Sequence, residues 1–376
     1  MQYRKLVKNE GPVSLLGFGC MRLPLVANGE PNEIDVPAAE AMIERAMRAG
    51  VNYFDTAYRY IGGNSELFLG RTLKKYPRES FKLATKLPMG MIEDTAAGVR
   101  IYHDQLERLQ TEYFDFYLLH GINRAGFQKA VDLGLLDYLI QEKIEGRIRH
   151  LGFSFHGAYE DFEYILTYRD WDFCQIQLNY LDTQIQAGVR GAQLAYARGI
   201  PLVIMEPVKG GSLSNFNPNA AQAMKDAAPN KSLASWAVRW VAEQPSVAVV
   251  LSGMSTMEQV EDNIETFEEY QPLSAEECKI IADTAEKIRA SVRIGCTGCA
   301  YCMPCPFGVN IPRSFAIWNE YGMYNNAGSV KWGLSNLKEG EFASACRKCG
   351  ACEPKCPQGL AIRDGLAAAA AELGAL

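Results

Sequence analysis

Short apolar runs alternate with longer amphipathic stretches from Ser14 to about Glu269. The longer stretches, such as residues 38–50 (AAEAMIERAMRAG), place apolar side chains three and four positions apart, the period of a helix packed on one face. The short runs have the length and composition of buried strands. Eight of them can be counted: SLLGFG, VNYFDT, FKLATK, FDFYLLH, IRHLGFS, FCQIQLN, PLVIME and VAVVLS.

Eight β-then-α units within about 255 residues predict an α/β fold in which parallel strands close into a (β/α)8 TIM barrel. An open doubly wound sheet usually has fewer strands, so the barrel is the better interpretation. After the eighth strand, residues 252–267 are expected to form its helix. Residues 274–292 are expected to form another helix that leads away from the barrel.

The sequence pattern changes near residue 291. From Arg293 onward, closely spaced Cys, Pro and Gly replace the alternation of strands and helices, with helical patterns only at residues 314–322 and 365–373. We therefore expect two domains: a barrel over residues 1–290, and a small, mainly α-helical domain over residues 291–376.

Composition and charge limit the possible partners. Charged residues make up 22% of the chain and the formal net charge is −6. No excess of positive charge is available to neutralise nucleic-acid phosphates or an anionic membrane surface. The first residues lack the apolar core of a signal peptide, and no apolar run reaches the roughly eighteen residues of a membrane span. We expect a cytoplasmic protein with no nucleic-acid or membrane partner.

Eight of the eleven cysteines fall into two tight groups. CxxCxxCxxCP contains Cys296, Cys299, Cys302 and Cys305, and CxxCxxCxxxCP contains Cys346, Cys349, Cys352 and Cys356. Four thiolates per group suit a 4Fe-4S cluster, and in chains with two such groups the fourth cysteine of one usually ligates the other cluster. We therefore expect two 4Fe-4S clusters, with Cys356 completing the first ligand set and Cys305 completing the second.

Zinc is the competing interpretation, because two CxxC pairs can bind one zinc ion through four thiolates. A zinc ribbon needs only four cysteines, with its pairs normally separated by about a dozen residues or more, so two clusters are favoured. Residues 291–360 resemble the bacterial-type dicluster ferredoxins, and the helical pattern between the two groups is similar to their α-helical variety. The other cysteines, Cys20, Cys174 and Cys278, show no such spacing and are interpreted as core residues.

Polar residues follow the predicted strands at their carboxyl ends, where barrels of this kind carry their chemistry. They are Asp55, Tyr58, Tyr60, Lys86, His120, Ser154, His156, Gln175, Asn179, Glu206 and Ser252. Asp55, Lys86 and His120 end three successive strands and would place a cation between an acid and an imidazole. A buried lysine beside an aspartate can lower the pKa of a neighbouring tyrosine, which would make the phenol a usable proton donor.

The segments FDTAYRYIGGNSELFLG (residues 54–70), LATK and FYLLH resemble the aldo-keto reductases, and the resemblance extends over about residues 10–270. It implies a catalytic tetrad of Asp55, Tyr60, Lys86 and His120. Tyr60, five residues after the aspartate, would be the general acid, and Tyr58 would not. With the cysteine motifs appended, the whole chain resembles the iron-sulfur branch of this family.

The same resemblance implies a nicotinamide cofactor, NADH or NADPH. Ser154 and Gln175 stand at carboxamide-binding positions, with Gln177 as the alternative glutamine. Met205, with Glu206 beside it, stands where an aromatic ring normally stacks on the nicotinamide.

Two further groups of residues would bind the rest of the cofactor. Gln259 and Asn263 align with adenosine-side positions, and no arginine stands at the first of them to bind a 2′-phosphate, so a preference for NADPH is not indicated. Lys209 with Gly210 follows the seventh strand, where barrels commonly bind phosphate through loop amides. A plain tight turn is the equal alternative there. A nicotinamide dinucleotide or a flavin phosphate would fit this loop.

The leading hypothesis is an oxidoreductase that reduces a carbonyl or related small molecule with Tyr60 as proton donor. Its clusters would exchange electrons with the barrel cofactor or with an external redox partner protein. One alternative is a conventional NAD(P)H carbonyl reductase in which the clusters only stabilise the C-terminal segment. Another is a ferredoxin-like electron-transfer protein that uses the barrel as a docking platform.

Overall fold

The structure, a computed structural model, describes residues 1–7 and 11–376. Over these ranges the chain forms two compact units. The first contains residues 1–209 and 235–274, and the second contains residues 210–234 and 275–376.

The first unit is built on a closed barrel of parallel strands in which each strand pairs with its neighbour in the chain and the last pairs with the first. These strands are β3 (Leu16–Gly19), β4 (Tyr53–Asp55), β5 (Lys82–Leu87), β6 (Phe114–Ile122), β7 (Ile148–Phe155), β8 (Phe173–Gln177), β9 (Leu202–Met205) and β10 (Val247–Gly253). Each overlaps one of the eight apolar runs, so the prediction of a (β/α)8 TIM barrel is confirmed. An antiparallel ribbon, β1 (Tyr3–Arg4) with β2 (Val13–Ser14), precedes the barrel.

Helices connect the strands. Up to the end of the barrel they are α1 (Val36–Arg48), α2 (Asn64–Leu73), α3 (Thr95–Arg108), α4 (Arg124–Asp132), α5 (Leu135–Ile144), α6 (Tyr159–Tyr168), α7 (Gly188–Ala197), α8 (Pro218–Ala227), α9 (Leu233–Ala242) and α10 (Met257–Glu268). Side-chain caps fix several of their starts. Asp35 accepts a hydrogen bond from the amide of Ala38, and Asp94 accepts one from the amide of Ala97, which satisfies N–H groups that have no partner within the helix.

Apolar side chains fill the barrel interior. Tyr53, Phe116 and Phe173 lie in one buried cluster, which Leu6 and Val13 from the β1–β2 ribbon region join. Because the interior is packed and not open, chemistry is confined to the polar side chains at the carboxyl ends of the strands. A larger apolar cluster forms between the barrel and its helices.

The second unit contains α8, α11 (Ala275–Ala290), α12 (Ile311–Tyr324), α13 (Ala327–Ser335) and α14 (Ile362–Leu373). Val309, Phe315 and Leu366 belong to its apolar core. The segment that follows the seventh barrel strand is bound into this unit. The backbone N–H of Asn217 donates to the carbonyl of Met323 at 3.2 Å, and its side-chain amide donates to that of Gly322 at 3.3 Å.

The structure thus groups residues 210–234 and α11 with the cysteine-containing segment, whereas the composition change predicts a single division at residue 290. Cys20 and Cys174 are buried, but Cys278 is exposed on α11, so the core interpretation is wrong for that residue. Within the part of the chain that the structure describes, no helix combines the length and apolar character needed to cross a membrane.

Candidate active site and cysteine motifs

Lys86 lies fully buried near the carboxyl end of β5, with its ammonium group among three oxygen atoms. Its Nζ lies 2.5 Å from Asp55 Oδ1, 2.7 Å from the backbone carbonyl of Thr56 and 3.4 Å from the hydroxyl of Tyr60. Burial acts to lower the pKa of Lys86, but the charge of Asp55 and the hydrogen bonds to Asp55 and Tyr60 raise it above its ordinary value. Lys86 is therefore positively charged at neutral pH.

Asp55 ends β4 and is buried beside two donors. Besides Lys86, the side-chain amide of Gln175 donates to its second oxygen, Oδ2, at 3.1 Å. Burial raises the pKa of Asp55, and these two donors oppose that effect. An ammonium and an amide on one carboxylate favour its charged form.

Tyr60 begins a short 3-10 helix, Tyr60–Gly63, five residues after β4 ends at Asp55. Burial raises the pKa of Tyr60 more than Lys86 lowers it, so the expectation that the lysine gives this phenol a low pKa is wrong. The phenol therefore keeps its proton at neutral pH. Tyr58 is engaged elsewhere: it donates to Asp104 at 2.7 Å, and the guanidinium carbon of Arg108 lies 4.1 Å from its ring centre.

His120, on β6, meets the ring of Tyr60 edge-on with 5.8 Å between ring centres. Burial, with help from the positive charge of Lys86, lowers the pKa of His120 to about 3. The imidazole is therefore neutral at physiological pH and has one N–H to donate. The four residues of the predicted tetrad thus lie together.

A buried carboxyl group that was not among the sequence predictions lies behind Lys86. Glu66 Oε1 accepts hydrogen bonds from Thr85 at 2.6 Å and from the amide of Gln105 at 2.7 Å, and that amide also lies 3.1 Å from the backbone carbonyl of Lys86. Among the described residues, Glu66 Oε2 has no hydrogen-bond partner, and Arg108 lies 4.0 Å from it. Burial raises the pKa of Glu66 to about 7.

The predicted carboxamide-binding residues lie side by side. Ser154 and Gln175 are register partners on β7 and β8, and both are buried. The side-chain amide of Gln175 already donates a hydrogen bond to Asp55. Gln177, two residues further along β8, donates to Asp182 at 3.3 Å, and its buried Oε1 has no hydrogen-bond partner within the described ranges.

The loop after β9 is organised by Asp182, which the sequence analysis missed. Lys209 forms an ion pair with Asp182 Oδ2, and the Asn179 amide lies 3.3 Å from the same oxygen. Met205 pairs in register with Gln177, and Glu206 is exposed. Gly210, directly after Lys209, has a positive φ of 64°. Asp182 follows the end of β8 by five residues, and a wider search of the residues after each strand could have found it.

The two adenosine-side candidates lie on α10. Asn263 is buried and donates to the Ser252 hydroxyl at 3.0 Å. Gln259 Oε1 accepts a hydrogen bond from the backbone N–H of Ser255 at 2.7 Å. Both side chains therefore also shape the turn between β10 and α10.

In the second unit, three cysteines of the first motif line one cavity together with one cysteine of the second. They are Cys296, Cys299, Cys302 and Cys356. Apolar side chains, among them Ile311 and Phe315, line the same cavity. Of the other four cysteines, Cys305, Cys346 and Cys352 pack against the helical core, and Cys349 is exposed.

The spacing of these cysteines bears on the choice between zinc and iron-sulfur clusters. Among the described residues, no three His, Cys, Asp or Glu side chains lie close enough to hold a single metal ion. Thiolates on one zinc ion, at about 2.3 Å from the metal, must approach one another within about 4 Å. Cluster ligands bind different iron atoms and lie farther apart. Four cysteines around a shared cavity therefore fit a 4Fe-4S cluster better than zinc.

The two motifs form an internal repeat that the sequence analysis missed. Their first cysteines are 50 positions apart. Positive φ values occur two and four residues after the first cysteine of each motif, at Gly298 and Ala300 and at Lys348 and Gly350. A further one occurs three residues after each fourth cysteine, at Gly308 and Gly359. Each motif runs into a helix, α12 or α14. The fourth cysteine is spaced differently in the two motifs, which hides the repeat from a simple alignment.

The chain belongs to the aldo/keto reductase family, whose sequence model matches residues 15–286. A second match, to the 4Fe-4S dicluster domain, covers residues 295–361. The protein is therefore an oxidoreductase of this family that carries an iron-sulfur domain after its barrel.

Relatives and solved structures agree with this assignment. L-galactose dehydrogenase of Arabidopsis thaliana is 29% identical over 296 residues, which cover 70% of this chain and 88% of that protein. NADH-specific methylglyoxal reductase of Escherichia coli (strain K12) is 26% identical over 265 residues, covering 59% and 80%. The holo form of an aldo-keto reductase from Bacillus halodurans aligns with a TM-score of 0.62 at 28% identity, covering 76% of this chain and 96% of that one.

Proposed function

We propose that the protein reduces a carbonyl compound with a nicotinamide dinucleotide, and that Tyr60 donates the proton. The observation that carries this proposal is the line of polar contacts from the Tyr60 hydroxyl to Lys86 Nζ, at 3.4 Å, and from there to Asp55 Oδ1, at 2.5 Å. This line lies at the carboxyl ends of successive barrel strands. The names of the relatives, a sugar dehydrogenase and a methylglyoxal reductase, support the same class of reaction.

Side chains of this site would hold the transferred proton and stabilise the charge that its loss leaves behind. Tyr60 holds it at neutral pH because burial raises the pKa of the phenol. After donation, the nearby charge of Lys86 stabilises the phenolate, and Asp55 keeps Lys86 charged and in place. Neutral His120 donates its N–H to the carbonyl oxygen and orients it towards the Tyr60 hydroxyl. A bound nicotinamide dinucleotide would supply the hydride.

The cofactor would lie along the ends of the later strands. Ser154 and a glutamine would hold the carboxamide; Gln177 suits this role better than Gln175, because its Oε1 is unpaired in the described structure, whereas Gln175 donates to Asp55. The other contacts would come from Met205, Glu206, Lys209, Gly210, Gln259 and Asn263. Gln259 brings no positive charge to a 2′-phosphate, which favours NADH over NADPH.

The cysteine motifs would hold two 4Fe-4S clusters that exchange electrons with the barrel cofactor or an external carrier. Cys296, Cys299, Cys302 and Cys356 would ligate one cluster, and Cys346, Cys349, Cys352 and Cys305 the other. Such clusters pass electrons singly, whereas a nicotinamide releases two electrons together as hydride, so exchange between them would need a two-electron intermediate such as a bound flavin. Two clusters match the electron pair of one hydride. The shared cavity of the first set supports this division of ligands.

Two neighbouring tyrosines give a matched test of the proton donor. Tyr60→Phe should lower kcat for methylglyoxal reduction with NADH by about 10²- to 10⁴-fold, the usual contribution of a general acid. Tyr58→Phe removes a hydroxyl two residues away that bonds to Asp104, and should keep kcat within about threefold of wild type. Cluster absorbance and NADH binding should be unchanged in both variants. Turnover retained in Tyr60→Phe would refute the assignment.

An anaerobic titration with NADH and then NADPH tests the role of the clusters. Bleaching of the broad absorbance near roughly 400 nm would show that barrel and clusters share an electron path. Carbonyl reduction without bleaching would make the clusters structural. A bound flavin would reveal itself in the same spectra by its own bands before any nucleotide is added.

A further inference from the structure

The two cysteine motifs share a backbone arrangement but differ in charge. Residues 296–308 of the first motif contain no charged side chain. The second motif carries Arg347, Lys348 and Lys355, all exposed, and we call these three residues the basic surface. No ion pair is recorded for any of them within the described ranges.

The acidic residue of the second motif does not neutralise this surface. Glu353 is held by Arg363, with 2.8 Å between Oε2 and a guanidinium nitrogen, so its charge is already matched by a cation outside the motif. The first motif instead exposes the uncharged rings of Tyr301 and Phe307. Charge therefore distinguishes the two halves of an otherwise repeated structure.

The backbone fixes the basic surface beside the cysteines. The N–H of Lys348 donates to Cys346 Sγ at 3.4 Å, and Lys348 has a positive φ of 53°. Gly298 holds the equivalent position in the first motif, with φ of 73°. Glycine is favoured in this conformation, so the fold does not require a lysine there. Cys349, the next residue, is exposed, as is Cys299 in the first motif, so both clusters would lie close to the surface and only the second would lie beside these cations.

The rest of the chain has the opposite charge. Residues 1–290 contain 30 Lys and Arg against 38 Asp and Glu, a formal charge of −8. An acidic protein approaching this molecule is repelled by residues 1–290 and attracted by the basic surface. Attraction by a local excess of positive charge accelerates such an encounter.

We propose that the basic surface is the docking site of a small acidic carrier protein, and that the second cluster exchanges electrons with it. This inference rests on the electron-exchange role in the proposed function. In the step itself, one electron passes from the reduced iron-sulfur or flavin centre of the carrier to the oxidised cluster. The carrier is oxidised by one electron, the cluster is reduced by one, and no bond or proton is transferred.

Charge reversal at two positions, with a matched control, tests this proposal. Arg347→Glu/Lys348→Glu reverses two cations of the basic surface, and Lys331→Glu/Lys338→Glu reverses two exposed cations elsewhere in the same unit. The probe is a purified flavodoxin of strongly negative net charge. Anaerobic calorimetry measures complex formation without turnover, and stopped-flow absorbance measures cluster reduction by the reduced flavodoxin at about 20 and 300 mM salt. Photoreduced 5-deazariboflavin, which is uncharged, checks that each variant has reducible clusters.

We expect Arg347→Glu/Lys348→Glu to weaken flavodoxin binding and slow the second-order reduction by at least about tenfold at low salt, with loss of the salt dependence. The control variant should stay within about threefold of wild type, and deazaflavin should reduce all three proteins equally. Equal rates for both variants would overturn the docking site. Wild-type binding to phosphatidylserine vesicles or duplex DNA, with none to flavodoxin, would also overturn it in favour of another partner.

The outcomes separate this inference from the proposed function. If NADH bleaches the clusters but charge reversal has no effect, the proposed function stands and the docking site fails. If NADH does not bleach the clusters while flavodoxin reduces them in a charge-dependent way, the docking site stands and the coupling to the barrel cofactor fails.

Discussion

Replacing Lys86 by Met should destabilise the barrel mainly through the aspartate that it leaves behind. Methionine fills much of the same volume but removes the ammonium group that lies 2.5 Å from Asp55. The carboxylate is then left buried with Gln175 as its remaining side-chain donor. Removing one partner of a buried ion pair typically costs about 3–5 kcal/mol.

The acid-base equilibrium of Asp55 sets an upper limit on this cost, because the carboxylate can take up a proton instead of staying charged. At pH 7, about 3.2 units above its ordinary pKa of 3.8, protonation costs about 4.4 kcal/mol, and at pH 5 about 1.6 kcal/mol. In the variant, the folded state holds a proton on Asp55 that the unfolded state has lost, so stability falls as pH rises from about 4 towards 7. The difference from wild type should therefore shrink from pH 7 to pH 5.

The double variant Asp55→Asn/Lys86→Met isolates this effect, because it removes both charges. At pH 7 it should be more stable than Lys86→Met by about 2–3 kcal/mol in urea unfolding. Lys75→Met is the control: it breaks an ion pair with Glu40 whose lysine side chain is 58% exposed, and should cost less than about 1 kcal/mol. If Lys86→Met and the double variant are equally unstable, or if the loss does not vary with pH, Asp55 is not a charged partner of Lys86.

Three further outcomes are expected. The pKa of Glu66 is about 7 in the folded protein, so the folded state keeps a proton that the unfolded state loses above pH 4.5. Wild-type stability should therefore fall as pH rises from 4.5 to 7. Glu66→Gln should remove up to about 3 kcal/mol of that change, measured as Tm against pH. The neutral state of His120 predicts that kcat shows no ionisation of this residue between pH 5 and 8; a limb near pH 6.5 that disappears in His120→Gln would contradict this. Cys356→Ser should lower the iron content by about half, while Cys278→Ser, outside both motifs, should leave it unchanged; equal iron in both variants would remove Cys356 from the ligand set.

The barrel could be predicted from the sequence because its evidence is local. Each strand is a short apolar run, and each connecting helix repeats its apolar positions along one face, so neither requires knowledge of distant contacts. The grouping of Asp55, Lys86 and His120 was accessible for a related reason, whereas Tyr60 came from the resemblance to the aldo-keto reductases. Asp55, Lys86 and His120 lie at the ends of successive strands, and closing the barrel necessarily brings strand ends together.

The residues that the sequence analysis missed depend on packing between distant segments. Glu66 lies on α2 but is bound by Gln105 from α3, and no local pattern predicts that contact. Asp182 has a role in this loop only because the chain after β9 brings Lys209 close enough to form an ion pair with it. The direction of the Tyr60 pKa shift depends on how deeply its side chain is buried, because burial raises the pKa and the charge of Lys86 lowers it.

The division of the chain shows the same limit. Residues 210–234 look like an ordinary barrel connection, yet Asn217 is bound by backbone carbonyls of α12 more than a hundred residues later. Composition changes sharply only where the cysteines begin. A boundary predicted from composition therefore marks the residue at which the cysteine motifs begin. The compact units instead reflect which segments pack together.

The buried ionisable groups around Tyr60 bear on how it would act as the proton donor of the proposed reaction. Asp55 and Lys86 form a pair without net charge, and His120 is neutral at physiological pH. Glu66 takes up a proton near pH 7, so it brings at most a partial negative charge to the far side of Lys86. Loss of the Tyr60 proton would thus place a new negative charge in a buried position beside Lys86, whose charge is already paired with Asp55. That loss is unfavourable in the resting protein. In the proposed reaction it becomes favourable as hydride addition turns the carbonyl oxygen of the substrate into an alkoxide, which is a stronger base than the phenolate.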